Sequence, residues 1–96
     1  MIVEVKPLFK LREVLGTSCL KMEVSDGTTV EGLMMKLVET SGPEFRKAFI
    51  DSETGEIGPQ RLILLNEKPI FQLPDEIHTL LKDGDVISMM IVLRGG

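Results

Sequence analysis

The residues of this sequence that could carry chemistry through their type and position lie at its end, where Arg94 precedes two adjacent glycines, Gly95 and Gly96. At ordinary composition, two specified positions are both glycine by chance in roughly one chain in 200. A chain end without side chains can pass through a channel too narrow for Cβ atoms and present its carboxylate to a reactive phosphate. The Gly96 carboxylate is therefore the first candidate reactive group, and a flexible end without function is the alternative.

The other candidate groups are predicted to have structural roles. His78 has no second histidine or cysteine at metal-ligand spacing, which predicts a surface or capping role and no metal site. Cys19 has no CxxC partner, and free cysteines are usually buried, so we expect a packed thiol. Asp83 and Asp85 flank Gly84, as residues of a turn do. The sequence also lacks a phosphate-binding glycine loop and a serine-hydrolase motif, so we expect a chain that is not an enzyme and binds no nucleotide by itself.

Length and composition favour a small single-domain protein over a disulfide-rich, membrane-spanning or nucleic-acid-binding one. The 96 residues include 11 basic and 15 acidic side chains, for a formal charge of −4, and 43% are apolar. This length predicts one domain with one modest core, spanning residues 1–96 with a flexible tail at 93–96. A single cysteine excludes an intrachain disulfide, and no apolar run approaches the ~20 residues of a membrane span. We expect a cytoplasmic protein that binds no membrane and, because it lacks a dense basic stripe, no nucleic acid.

The elements that must position this end begin with two strands. Apolar and polar residues alternate over 1–8 and again over 20–24, and a short helical turn ending at Gly16 separates them. Thr28 and Glu31 have the spacing of a capping box, which predicts that the main helix begins here. The apolar positions of this helix recur at helical spacing and are Val30, Leu33, Met34, Leu37 and Val38.

The second half of the chain predicts a short helix and the strands that complete a sheet. The helix begins at about Glu44. A strand at 61–65 is followed by a tight turn over 66–69 and a brief return strand around Ile70 and Phe71. The last strand, 86–93, is apolar on both sides, which is typical of a central strand rather than an edge. This order predicts an α+β fold in which a mixed sheet wraps around one main helix, accompanied by a second short helix. That is the β-grasp architecture.

Five segments carry a family resemblance. In chain order they are Leu8 to Glu13 with Gly16, Thr29 to Leu33, Leu64 to Lys68, Leu81 to Val86, and Gly95 with Gly96. In these residues and their order the chain resembles the ubiquitin-like sulfur carriers, a family that includes the small subunit of molybdopterin synthase, the thiamin sulfur carrier and the archaeal ubiquitin-like small modifiers. The resemblance spans nearly the whole chain and implies the ubiquitin-like form of the β-grasp fold.

The resemblance implies a carrier cycle in which the chain is acted on by other proteins. An adenylating enzyme of the ubiquitin-activating type uses ATP to convert the Gly96 carboxylate into an acyl-adenylate, and a sulfur donor displaces AMP to leave a thiocarboxylate. The carrier itself holds no cofactor and no metal. It supplies sulfur to molybdopterin-type cofactor synthesis, together with the large synthase subunit, or to tRNA thiolation. The tail that the activating enzyme holds consists of Leu93, Arg94, Gly95 and Gly96.

Two alternatives remain open at the level of the sequence. Molybdopterin-synthase subunits tend to have a proline-containing stretch before the diglycine, whereas the ending from Leu93 to Gly96 resembles that of ubiquitin. The chain is therefore also a candidate protein modifier, joined through Gly96 to target lysines. Arg94 is then suited to pair with an acidic group of an activating enzyme. The third hypothesis is a non-covalent β-grasp interaction module whose end is inert.

The last strand also predicts a partner surface. If the main helix covers one face of this strand, Met90 and Val92 lie on the opposite face of the sheet. Exposed apolar side chains usually mark a surface that binds a partner. The alternative is that one of three phenylalanines covers them, namely Phe45, Phe49 or Phe71.

Overall fold

The observed elements follow the predicted order, in a computed structural model that describes residues 1–55, 57 and 61–92. The strands and helices are β1 Ile2–Pro7, α1 Lys10–Leu15, β2 Leu20–Glu23, α2 Val30–Ser41, α3 Pro43–Phe49, β3 Arg61–Leu65, β4 Lys68–Pro69 and β5 Val86–Ile91. Two 3₁₀ turns, Ile70–Gln72 and Glu76–His78, lie between β4 and β5. The predicted return strand around Ile70 and Phe71 is wrong, because the two-residue turn lets Lys68 and Pro69 pair with β3 directly. No helix in the described part of the chain is long and apolar enough to cross a membrane.

The five strands form one mixed sheet in the order β2-β1-β5-β3-β4. β5 lies in the centre, parallel to β1 and antiparallel to β3, and the pairs β1–β2 and β3–β4 are antiparallel. Ile87 stands in the middle of this arrangement, opposite Val5 on one side and Leu65 on the other. The predictions of a central last strand and of an α+β, β-grasp fold are confirmed.

The hydrophobic core lies between one face of the sheet and the helices. α2 buries the five apolar positions that its helical spacing predicts, and α3 adds Phe45 and Phe49, whose ring centroids are 5.2 Å apart. The sheet contributes residues at alternate positions, which are Val3, Val5, Met22, Ile63, Leu65, Ile87 and Met89. None of the buried residues in the described part of the chain is polar or charged, so apolar packing stabilises this core.

The main helix begins one residue later than the sequence predicts. Thr29 is its N-cap, and Thr29 Oγ1 accepts the backbone N–H of Gly32 at 3.1 Å. The predicted capping box between Thr28 and Glu31 is wrong, because the Thr28 hydroxyl donates to the carbonyl oxygen of Ser25 at 2.7 Å and so belongs to the preceding turn. A single hydroxyl therefore caps α2, with a glycine at the position that would complete a capping box.

The turn between β3 and β4 is tied to the start of β5. Asn66 and Glu67 have φ values of 50° and 71°, as the mirror-image type of two-residue hairpin turn requires. Asn66 Nδ2 donates to Asp85 Oδ1 at 3.0 Å, and Asn66 Oδ1 accepts the Val86 N–H at 2.9 Å. Asp85 Oδ2 accepts the Lys82 N–H at 2.7 Å. These bonds hold the hairpin to the entry of the central strand.

Candidate functional site

The predicted reactive end, Leu93 to Gly96, lies outside the described residues, so the site is built from the strand that leads to it. β5 ends at Ile91, which is half-buried and stands opposite Arg61 of β3. Val92, the residue that follows, is 45% exposed. Pairing with β1 extends to Met89, and pairing with β3 extends to Ile91.

The residues predicted as a partner surface belong to the outer face of the sheet, the side away from the helices. Met90 is half-buried and stands opposite Leu62 of β3, and Ser88 stands opposite Leu64. These side chains occupy the alternate positions that the core does not use. The structure therefore brings Met90 together with two leucines of β3 that the sequence analysis missed, and the alternation within β3 was the signal that could have identified them.

The three phenylalanines considered as a cover for this surface lie elsewhere or are themselves exposed. Phe45 and Phe49 are fully buried in the core, and the residues packed against that core include neither Met90 nor Val92. Phe71 is 65% exposed. The apolar side chains at the end of β5 thus stay partly accessible, while their role in binding a partner stays a prediction.

Cys19 does not have the packed environment that the sequence analysis predicts. It is exposed just before β2, and its Sγ donates to Glu4 Oε1 at 3.1 Å. Alternation explains the difference, because position 19 shares the outer face with the exposed Lys21. The hydrogen bond to Glu4, followed by partial desolvation and the negative charge of Glu4, raises the pKa of Cys19. A thiol with a raised pKa forms less thiolate at neutral pH, so Cys19 is not an activated nucleophile.

The remaining titratable candidates have structural partners. His78 is exposed, with Nδ1 3.9 Å from Glu31 Oε1 in the first turn of α2. Asp83 Oδ1 accepts the Ile2 N–H at 2.7 Å, and Asp85 holds the turn at the start of β5 as described above. The prediction that both aspartates form a turn is confirmed. Over 1–55, 57 and 61–92, no group of three His, Cys, Asp or Glu residues could hold a metal ion.

A groove that the sequence analysis did not predict lies beside the end of β5. This Phe9 groove is lined by Phe9, Lys10, Arg12 and Glu13 at the start of α1, together with Ala48, Arg61 and Ile91. The signal for it in the sequence is Phe9, which falls outside the apolar face that Leu11, Val14 and Leu15 turn toward the core. Phe9 itself is 72% exposed.

The structure is similar to solved structures of small ubiquitin-like proteins. Small archaeal modifier protein 1 from Methanosarcina acetivorans is 27% identical with a TM-score of 0.84, covering 99% of this chain and 96% of that one. Urm1 from Trypanosoma brucei is 21% identical with a TM-score of 0.77, covering 99% and 95%. A chain in the complex of subunits 1 and 2 of molybdopterin-converting factor from Helicobacter pylori is 25% identical with a TM-score of 0.61, covering 100% of both chains.

The comparisons by sequence give no further relatives. No protein-family model matches the chain, and no curated protein sequence matches it. The similarity to these proteins is therefore structural, and it extends over nearly the full length of each chain compared.

Proposed function

The chain has the ubiquitin-like β-grasp fold of the sulfur carriers and small modifiers, and from this premise we propose that it is a sulfur carrier. The working group is the Gly96 carboxylate, and the sulfur that it carries serves molybdopterin-type cofactor synthesis or tRNA thiolation. The observation that carries the proposal is the pair Gly95 and Gly96, which follows the central strand β5 of this fold. A glycine end is suited to a narrow enzyme channel because it has no side chain.

The first step activates a carboxylate that is otherwise a poor electrophile. An oxygen of the Gly96 carboxylate attacks the α-phosphorus of ATP, pyrophosphate leaves, and an acyl-adenylate forms. A hydrosulfide equivalent from a sulfur donor then attacks the carbonyl carbon, and AMP leaves with the bonding electrons. The product is a thiocarboxylate in which sulfur has replaced one carboxylate oxygen.

The catalytic groups of this cycle belong to the partner, an adenylating enzyme of the ubiquitin-activating type. That enzyme binds ATP and stabilises the charge that develops on the phosphate and carbonyl oxygens. The carrier contributes an end without side chains, and Arg94 contributes a charge-assisted contact with an acidic group of the enzyme. The carrier is thus a substrate rather than an enzyme and needs no cofactor of its own. Because the cycle consumes ATP, we expect it to run in the cytoplasm.

The outer face near Met90 is the proposed docking surface for these partners. The Helicobacter pylori structure is a complex of subunits 1 and 2 of molybdopterin-converting factor, and a comparable large subunit is the expected partner in cofactor synthesis. Met90 and Leu62 are half-buried and Val92 is 45% exposed, so they offer apolar area beside the residues that lead to Gly96. A partner that docks there holds the reactive end within its reach.

A covalent protein modifier is the second candidate function. In this case the amine of a target lysine attacks the activated Gly96 carbonyl and an isopeptide bond forms. AMP leaves if the acyl-adenylate is attacked directly, and the enzyme thiolate leaves if Gly96 has first been transferred to an enzyme cysteine. Two observations favour it. Leu93 and Arg94 precede the diglycine as in ubiquitin, and the similarity to the Methanosarcina acetivorans modifier covers 99% of this chain.

The intact mass of the protein purified from its own cells tests these functions, under non-reducing conditions that avoid hydrolysis. Replacement of one carboxylate oxygen by sulfur is the result expected for the carrier. A Gly-Gly remnant on lysines of other proteins would identify the modifier instead. An unmodified Gly96 carboxylate after incubation with the adenylating enzyme and ATP would leave a non-covalent interaction module.

A variant with one alanine added after Gly96 is the matched control for this experiment. It retains every described residue, so its thermal unfolding is expected to match that of the parent chain. Its adenylation, followed as pyrophosphate release by the activating enzyme, is expected to be lost. Undiminished pyrophosphate release would show that the Gly96 carboxylate is not the working group.

A further inference from the structure

The Phe9 groove is placed where a protein segment can reach the end of the central strand without touching the outer face. Its first wall is the start of α1, and its second is formed by Ala48 of α3 and Ile91 at the end of β5. Arg61 fixes part of that second wall, because its Nε donates to the Ala48 carbonyl oxygen at 3.0 Å. Guanidinium has further N–H donors beyond Nε, and no hydrogen bond joins them to another residue of 1–55, 57 and 61–92.

Phe9 combines an unfavourable backbone conformation with an exposed side chain. Its φ of 52° and ψ of −120° lie in a region that disfavours any residue with a side chain. Its ring is 72% exposed, and Phe9 supplies no side-chain cap to α1. Strained backbone at an exposed aromatic residue is characteristic of a binding site, where the ring is used by a partner.

The charges around Phe9 differ in sign from those of the protein as a whole. Three cationic side chains, Lys10, Arg12 and Arg61, line the groove against the single carboxylate of Glu13, in a chain whose formal charge is −4. Neither Lys10 nor Arg12 has an ion-pair partner among the residues that the structure describes. Within the described residues, a ligand with negative charge therefore meets no competing ion pair at these two side chains.

We propose that the Phe9 groove binds an extended acidic segment of a partner protein. An apolar side chain of that segment packs on Phe9 and Ala48, and flanking carboxylates pair with Lys10 and Arg12 in charge-assisted contacts. This proposal does not depend on the chemistry at Gly96, so it stands or falls separately from the proposed function. The Phe9 groove would be a second partner-binding region, separate from the outer face, with specificity that comes from charge.

A protein segment fits the groove better than a nucleic acid does. Nucleic-acid binding depends on neutralising many phosphates along a basic track. The groove offers three cations and one carboxylate, and the negative net charge of the chain repels a long polyanion. A short segment with few carboxylates and one apolar anchor matches both the exposed ring and the small cluster of cations.

Titration of the ¹⁵N-labelled full-length chain with a synthetic peptide tests the proposal. The probe is an acetylated, amidated peptide with one leucine between two pairs of acidic residues. We expect the largest amide shifts at residues of the groove, centred on Arg12 and Arg61, and weaker binding as the salt concentration rises. A peptide with serine in place of the leucine, and one with lysines in place of the acids, are expected to bind at least about tenfold more weakly.

Matched variants separate binding from folding. Phe9→Gly removes the ring and suits the positive φ, so we expect an unfolding midpoint no lower than that of the parent chain and binding weakened about tenfold. Phe71→Gly is the control, because Phe71 is 65% exposed outside the groove. Lys10→Glu is likewise paired with Lys68→Glu, an exposed lysine of β4, and only the former is expected to weaken binding.

Four results would overturn the proposal. One is that the acidic peptide causes no amide shifts in the groove. Another is that the basic peptide, or a short oligouridylate, binds as tightly as the acidic peptide. The third is a change in the amide signals of the groove when residues 93–96 are removed, together with tighter binding of the acidic peptide. That result would mean that the end of this chain occupies the groove. The fourth is a change of the same signals with protein concentration alone, which would assign it to a second copy.

Discussion

The two faces of strand β5 differ in what they do, although both are apolar. On the inner face Ile87 and Met89 are fully buried against the helices, whereas on the outer face Met90 is half-buried and Val92 is 45% exposed. Met89 and Met90 are neighbours of identical chemistry, so the sheet alone separates their environments. We therefore expect the inner face to determine the stability of the fold and the outer face to tolerate substitution.

The two helix starts repeat this contrast. Thr29 begins α2 with extended backbone and a hydroxyl that accepts the Gly32 N–H. Phe9 begins α1 with positive φ, no cap and an exposed ring. The helix that supplies most of the helical core residues thus has a capped N-terminus. The helix beside the Phe9 groove has a strained one, as residues at binding sites often do.

Substitution of the two neighbouring methionines gives the largest expected difference. Met89→Ala is expected to lower the free energy of unfolding by about 2–5 kcal/mol, because it leaves a cavity in the core. Met90→Ala is expected to lower it by less than about 1 kcal/mol. Denaturant unfolding of both variants measures the difference. Equal losses would mean that the outer face is as tightly packed as the inner one.

A charged residue on the outer face of β5 is expected to weaken binding of the activating enzyme without unfolding the protein. Met90→Glu is expected to slow pyrophosphate release by the activating enzyme about tenfold at sub-saturating carrier, because the apolar contact is lost. Its thermal midpoint is expected to stay close to that of the parent chain. Lys21→Glu, a charge change on the same face but on the edge strand β2, is the control. Unfolding of Met90→Glu would instead place Met90 in the core.

Removal of the α2 cap is expected to have an intermediate effect on stability. Thr29→Ala leaves the Gly32 N–H without its side-chain acceptor and is expected to cost about 1 kcal/mol of unfolding free energy. Thr29→Ser keeps the hydroxyl and is expected to restore most of it. Chemical denaturation of the pair, alongside Phe9→Gly, measures the contrast between the two helix starts. A greater loss in Phe9→Gly than in Thr29→Ala would contradict it.

The smallest expected effect concerns the reactivity of Cys19. Glu4 raises the pKa of the thiol, so Glu4→Gln is expected to lower that pKa and move the pH profile of alkylation by iodoacetamide to lower pH. Lys21 acts in the opposite direction, so Lys21→Gln is expected to move the profile to higher pH. Identical alkylation profiles for the two variants would show that Glu4 and Lys21 do not affect the pKa of Cys19.

The fold could be predicted from the sequence because period-2 and helical patterns report burial directly. The alternation of Val3 and Val5, and the spacing of Leu33 and Leu37, identify core positions that the structure buries. The start of α2 was misplaced by one residue because two adjacent threonines both fit a cap. Their hydrogen bonds distinguish them, because the Thr28 hydroxyl donates to Ser25 of the preceding turn and the Thr29 hydroxyl accepts the Gly32 N–H.

The surroundings of the site were harder to predict, since they depend on contacts between distant segments. Cys19 was expected to pack, but the register of β2 with β1 brings it to Glu4 on the outer face. The Phe9 groove combines residues from α1, α3, β3 and β5, and no local pattern reports such a meeting. The diglycine is identified from residue type and position in the sequence, and its proposed chemistry stays a prediction.

The central position of β5 has a consequence for how the molecule assembles. The pair β2–β1 and the pair β3–β4 are joined in the sheet only through β5, and Glu4 of β1 pairs with Val86 from the far end of the sequence. Isolated two-stranded pairs are marginal in water, and strand pairing between residues so distant in sequence is slow because it costs loop-closure entropy. Any chain that has completed this sheet has therefore already incorporated β5. A copy that lacks its last strand is therefore expected to leave these two pairs unjoined, with no complete sheet to present to a partner.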